Sequence, residues 1–212
     1  MGDTWTGKTA CFLGDSITEG IGVSRPENRY VERVKTALGL AAVRNYGLCA
    51  SRIARQAGDG GTSFCDRYAA MEAADLFVVF GGCNDFFHGT APLGVPEDRT
   101  KETFYGACHT LLRGMRERWL DRTIAVFTPL HSVEEEQGAV NAVTGAPMSR
   151  YVEILREVAG YYALPVLDLY HTSGIQPAVP AIRERYCPDG THPNDEGHAL
   201  LTRRMIPFLC AL

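Results

Sequence analysis

The chain has 212 residues, of which 45% are apolar and 22% charged, and it carries a net charge of −4. This is ordinary globular usage, which excludes a disordered chain and suits one well-cored α/β domain spanning 1–212. A mildly acidic chain lacks the basic footprint that phosphate backbones require, so no nucleic acid partner is expected.

No apolar run reaches membrane-spanning length; the longest, around 76–80, has the length of a buried strand. The first ten residues, MGDTWTGKTA, lack the charged start and apolar middle of a signal peptide. Seven cysteines are scattered without paired spacing, which argues against a disulfide framework. The expectation is a cytoplasmic protein with no membrane span, its oligomeric state open.

In chain order, 8–13 reads as a short buried strand. Apolar residues at helical spacing follow from Tyr30 to Leu38, after Pro26 in a helix-start position. A second strand is expected over 42–46, then helices over 51–57 and 65–73. Residues 75–80 form the clearest strand, ended by Gly81 and Gly82. A long apolar stripe from Phe104 to Trp119 predicts a helix. Strand four is expected over 123–127, another helical stripe over 151–162, and strand five over 165–169. A final helix over 199–209 has Asn194 as its N-cap. Strands alternating with helices predict a three-layer α/β/α sandwich around a flavodoxin-like parallel sheet of about five strands. Two long loops, 86–99 and 130–147, are functional candidates by their length.

Residues 2–9 match the phosphate-loop pattern G-x-x-x-x-G-K-[ST]. A phosphate loop needs a strand before it and a helix after it, whereas Thr9 leads into a strand, so the match is set aside. Four other signals remain. Gly14-Asp15-Ser16 follows the first strand and puts a serine at the carboxyl edge of the sheet, where ligands bind in open α/β folds; its bland reading is a helix cap. Gly47 follows the second strand with an unobstructed N–H, or is a simple turn glycine. Asn84, in Gly82-Cys83-Asn84-Asp85, is an amide donor after the third strand, or ends an Asx-turn. Asp189 precedes His192 by three residues, so it can curl back to orient the imidazole and leave the other ring nitrogen free as a base. Asp189, His192, Asp195 and His198 could also be read as metal ligands, but they lack the i, i+4 histidine pair of a helical zinc site. No metal or other cofactor is expected. Converging on one edge of a parallel sheet, the four signals supply a nucleophile, a base, an orienting acid and three oxyanion donors, which is the equipment for acyl transfer.

These residues resemble the SGNH hydrolases, the GDSL esterase/lipase family. GDSIT at 14–18, NYG at 45–47, GGCND at 81–85 and DGTHPN at 189–194 resemble its four blocks in order. Cys83 stands at a variable position of the third block. The resemblance implies a flavodoxin-like fold and ester hydrolysis without a cofactor. Carried over by residue, it makes Ser16 the nucleophile, His192 the base and Asp189 its orienter, with an oxyanion hole of Ser16 N–H, Gly47 N–H and the Asn84 side chain. The expected substrate is a small-molecule or carbohydrate ester with a short acyl group such as acetyl. A lysophospholipase or acyl-thioesterase of the same fold is the alternative, and a non-catalytic flavodoxin-like binding module is the alternative of a different class. A cysteine nucleophile is also weighed; no cysteine has a histidine in a motif-like setting. Asp15, Asp85, Phe86 and His88 are candidate substrate contacts, with Phe87 beside them; His131 is read as ordinary loop surface.

Overall fold

The computed structural model describes residues 4–212. Gly2, which opens the phosphate-loop match, lies outside them, and Thr9, which closes it, opens a strand. The sheet is parallel throughout: β1 (Thr9–Gly14), β2 (Ala42–Gly47), β3 (Leu76–Phe80), β4 (Thr123–Phe127) and β5 (Val166–Leu167), in the order β2-β1-β3-β4-β5. Alternation of side chains along each strand divides the core into two layers. Ala10, Phe12, Leu76, Val78, Phe80, Ala125 and Phe127 face one way, together with Val31 and Val34 of α2 (Tyr30–Leu38) and Leu201 and Met205 of α9 (Asp195–Cys210). Cys11, Leu13, Phe77, Val79, Ile124 and Val126 face the other, together with α5 (Phe104–Arg118) and α6 (Met148–Tyr161). Burial on both faces explains why β3 is an unbroken apolar run.

The remaining helices are short: α1 (Ser16–Glu19), α3 (Phe64–Arg67), α4 (Cys83–His88), α7 (Leu169–Thr172) and α8 (Pro180–Tyr186). Strand order reverses at β1, so a crevice opens beyond the carboxyl ends of β1 and β3, whose last residues, Gly14 and Phe80, are register partners. Among the described residues no helix is long and apolar enough to cross a membrane.

Three local expectations change. Residues 51–57 contain no helix: the Asp85 carboxylate accepts the amides of Ile53 and Ala54 (2.8 and 2.9 Å), holding this stretch in a bend. The helix expected over 65–73 is one α-turn followed by a 3₁₀ turn that stops at Met71. β5 is only two residues long, because Asp168 turns the chain and caps α7 by accepting from the His171 amide.

Candidate active site

The turn from β1 into α1 is built by Asp15. Its Oδ1 accepts the Ile17 amide (3.0 Å), an N-cap, and its Oδ2 accepts the Cys83 thiol (3.1 Å). Burial raises the Asp15 carboxyl above the usual carboxylate range, and burial likewise pushes the Cys83 thiol up. Ser16, the first residue of α1, thus sits at the sheet edge with its Oγ 3.0 Å from His192 Nε2.

His192 comes from the loop before α9, which Asn194 caps by accepting from the Gly197 amide (3.0 Å). Asp189 Oδ1 accepts the amides of Thr191 and His192 (2.8 and 2.7 Å), and Oδ2 lies 2.7 Å from His192 Nδ1. Burial pushes the Asp189 carboxyl up, but the two amides and the imidazole together outweigh it and hold the carboxyl below its ordinary value. With its proton on Nδ1, the imidazole donates to Asp189 and leaves Nε2 to accept from the Ser16 hydroxyl.

The Asn84 side chain, at the start of α4, donates from Nδ2 to the Ser51 carbonyl (3.1 Å). Arg67 braces this corner, donating to the carbonyls of Gly14 (3.1 Å) and Tyr46 (2.8 Å) and to Ser51 Oγ (3.0 Å). It joins the carboxyl ends of β1 and β2 to the residue on which Asn84 rests. Nothing in the sequence around Arg67 marks this role, since its partners here are two backbone carbonyls and a serine hydroxyl from three distant segments.

Ser16, Asn84, His192, Asp189 and His88 line one cleft of about 230 Å³. A larger hollow between Pro96, Arg99, His109 and Tyr161, about 410 Å³, gathers no comparable chemistry.

Gly47 is a correction. Its N–H donates to Asn45 Oδ1 (2.8 Å), so it is already committed, and its Cα packs under α1: a Cβ there would come within 2.1 Å of the Glu19 amide nitrogen. The glycine is needed for close approach. Ala50 lines the cleft instead; its N–H makes no hydrogen bond among the described residues, and its φ of 59° is left-handed. Sequence reading missed it because a glycine usually marks that conformation and alanine does not.

Three candidate substrate contacts are also corrected. Asp15, Asp85 and Phe86 are all buried and do not line the cleft. Asp15 serves the β1–α1 turn. Asp85 holds the 53–54 amides, and burial pushes its carboxyl up to about 7 despite those bonds. Phe86 packs edge-on against Tyr151 in the core. His88 and Phe87 do line the cleft. His131 is turned to Glu135 and lies against the Tyr170 ring. The four residues weighed as metal ligands do not converge: Asp189 and His192 pair with each other, Asp195 accepts from Ser24, and His198 is buried, accepting the Tyr30 amide at Nδ1 (2.9 Å).

The model of the GDSL-like Lipase/Acylhydrolase family matches residues 12–200. One solved structure is 34% identical with a TM-score of 0.87, the alignment covering 97% of both chains. A protein from Lactobacillus plantarum is 29% identical with a TM-score of 0.86, over 97% of this chain and 98% of that one. A carbohydrate acetylesterase family member from Sinorhizobium meliloti is 19% identical with a TM-score of 0.62, over 96% and 98%, a likeness of fold. The comparison with curated proteins returns no match.

Proposed function

Because the chain belongs to the GDSL-like Lipase/Acylhydrolase family, we propose that it is a serine ester hydrolase that cleaves short-acyl esters, acetyl above all, of carbohydrates or small alcohols. The observation that carries this is the hydrogen-bonded chain from Ser16 Oγ through the His192 ring to Asp189, at 3.0 and 2.7 Å.

In this reading His192 Nε2 takes the hydroxyl proton as Ser16 Oγ attacks the ester carbonyl. Asp189 stabilises the imidazolium that forms. The oxyanion develops between Ser16 N–H, Ala50 N–H and Asn84 Nδ2, which are donors held in place before the substrate arrives. His192 then returns the proton to the departing alcohol. Water, deprotonated by the same base, attacks the acyl-serine, and the acid leaves.

The acyl preference rests on size. A cleft of about 230 Å³ lies below the roughly 300–1,000 Å³ of pockets that hold drug-sized ligands. The acetylesterase neighbour points the same way. A flavin or nucleotide module is disfavoured because the β1–α1 turn offers a buried carboxylate, with one amide already bonded to it, where a phosphate would need free amides.

The test is Ser16→Ala on p-nitrophenyl acetate, with labelling by a fluorophosphonate probe. Loss of both turnover and labelling is expected; undiminished turnover overturns the assignment. A series from acetyl to decanoyl esters should favour the shortest chains, and preference beyond about eight carbons, each buried CH₂ adding ~0.8 kcal/mol, would overturn the acyl assignment.

A further inference from the structure

Two adjacent glutamates, of which Glu134 lines the cleft, have opposite situations. The carboxylate of Glu135 is fully engaged: it accepts the Ser132 amide (2.9 Å), the Tyr170 hydroxyl (2.5 Å) and His131 Nδ1 (3.2 Å). The carboxylate of Glu134 has no hydrogen bond or ion pair among the described residues, and Glu134 lines the cleft that holds Ser16 and His192.

Its position is nevertheless fixed. Glu134 lies in a 3₁₀ turn, Val133–Gly138, entered through a capping box made by Ser132 and Glu135. That turn is docked on the loop that carries Asp189 and His192. The Val133 amide donates to the Gly190 carbonyl (3.0 Å), and Ser132 Oγ is 3.0 Å from Thr191 Oγ1. The backbone of Glu134 is therefore held at a set place relative to the loop that carries the imidazole, and its exposed side chain reaches the cleft from that anchor.

The rest of the lining sharpens the point. Among the described residues the cleft has two acidic residues, Glu134 and Asp189, and neither lysine nor arginine. Asp189 is occupied by two backbone amides and the His192 ring, so the carboxylate left free to meet a substrate is that of Glu134. A carboxylate without a partner at a cleft mouth repels a phosphate or carboxylate on an incoming substrate and attracts a cation or hydroxyl donor.

We propose that Glu134 is a specificity-determining residue that reads the alcohol half of the ester, selecting cationic or donor-bearing neutral alcohols against anionic ones. This rests on Ser16 being the nucleophile. It sharpens the function by disfavouring phosphate-bearing esters and thioesters as substrates.

The test uses three acetate esters: acetylcholine, its uncharged isostere 3,3-dimethylbutyl acetate, and 4-acetoxybutanoate. Values of kcat/KM are measured for wild type, Glu134→Gln and Glu134→Lys. Intrinsic reactivity cancels when each variant's effect is compared between esters. The cation-to-neutral ratio should fall about tenfold on Glu134→Gln, the size expected for a partly screened charge pair at about 5 Å. Glu134→Lys should lower that ratio further and raise the anion-to-neutral ratio. In wild type the cation-to-neutral ratio should shrink as salt rises from 20 mM to 500 mM, a measurement that needs no variant. Ratios unchanged within twofold across both variants and both salts overturn the proposal, provided p-nitrophenyl acetate is still cleaved and Ser16 still labelled. If wild type cleaves no ester and takes no label, the esterase reading itself fails, and this proposal with it.

Discussion

Replacing Asp189 with asparagine isolates the orienting role of the carboxylate. Its Oδ1 takes two backbone amides and its Oδ2 takes the imidazole proton, all at 2.7–2.8 Å. An asparagine has one oxygen to share among these three donors. With that oxygen on the amides of Thr191 and His192, its NH₂ faces His192 Nδ1. The reverse orientation sets an NH₂ against two N–H groups and forfeits both bonds, at about 1 kcal/mol each, so the first orientation wins. Nδ1 must then accept, the ring proton moves to Nε2, and Nε2 donates to Ser16 Oγ where it had accepted. The base is lost although no atom has moved far, and kcat should drop by about 10⁴-fold. Stability should barely change: the Asp189 side chain is 53% exposed, and exposed ion pairs are worth about 0–1 kcal/mol. Asp189→Ala removes the carboxylate without imposing a tautomer, so it should be less damaging than the isosteric change. Turnover of p-nitrophenyl acetate and urea unfolding, measured on both variants, decide the matter. An asparagine variant within tenfold of wild type, or an alanine variant slower than the asparagine one with both folded, refutes the reasoning.

Asn84→Ala should lower kcat by about 10²–10³-fold while the unfolding midpoint moves little, because the lost bond to the Ser51 carbonyl is worth only about 1 kcal/mol; a change confined to KM would count against an oxyanion role. Gly47→Ala should destabilise the fold and reduce activity together, since a methyl within 2.1 Å of the Glu19 amide nitrogen forces α1, and Ser16 with it, off the end of β2; overpacking of this kind costs about 1–3 kcal/mol, and a variant with wild-type stability would contradict it. His198 supplies a pH signature. Burial, with the charge of Arg33 adding to it, depresses its imidazole to about 4. Its contribution is therefore present above the unfolded value near 6.5 and is lost as pH falls from there towards 4, about 3 kcal/mol in all. Asp85, pushed up to about 7 by burial, has the opposite slope: its contribution is present in acid and is lost as pH rises through 7. In wild type the two therefore offset each other between about pH 4 and 6.5. His198→Asn, whose Oδ1 can still accept the Tyr30 amide, should expose the Asp85 slope, becoming less stable from pH 4.5 to 7 by urea unfolding; curves parallel to wild type would exclude the assignment.

The parallel sheet and the positions of Ser16, Asn84, Asp189 and His192 are written in short-range pattern. Apolar runs ending in glycine place the turns, and an aspartate three residues before a histidine closes its own loop whatever surrounds it. That information is local, so one chain read in order is enough to recover it. The roles of Gly47, Ala50, Asp15, Asp85 and Arg67 are not local. Gly47 lost its donor to the asparagine two residues earlier once α1 packed over it. Ala50 lines the cleft with an N–H that has no partner among the described residues, because Asp85 and Arg67, from other segments, hold the chain just beyond it out of a helix. Periodicity over 51–57 favoured a helix, and two buried hydrogen bonds to a carboxylate from α4 outweighed it. The two glutamates at 134 and 135 are the same residue type in the same turn, yet one is a structural brace and the other faces the cleft. Glu135 owes its Ser132 and His131 partners to the local capping turn, but that this turn sets Glu134 on the cleft is decided by the packing of 132–135 on the Gly190 loop and on Tyr170, some 35 to 60 positions away.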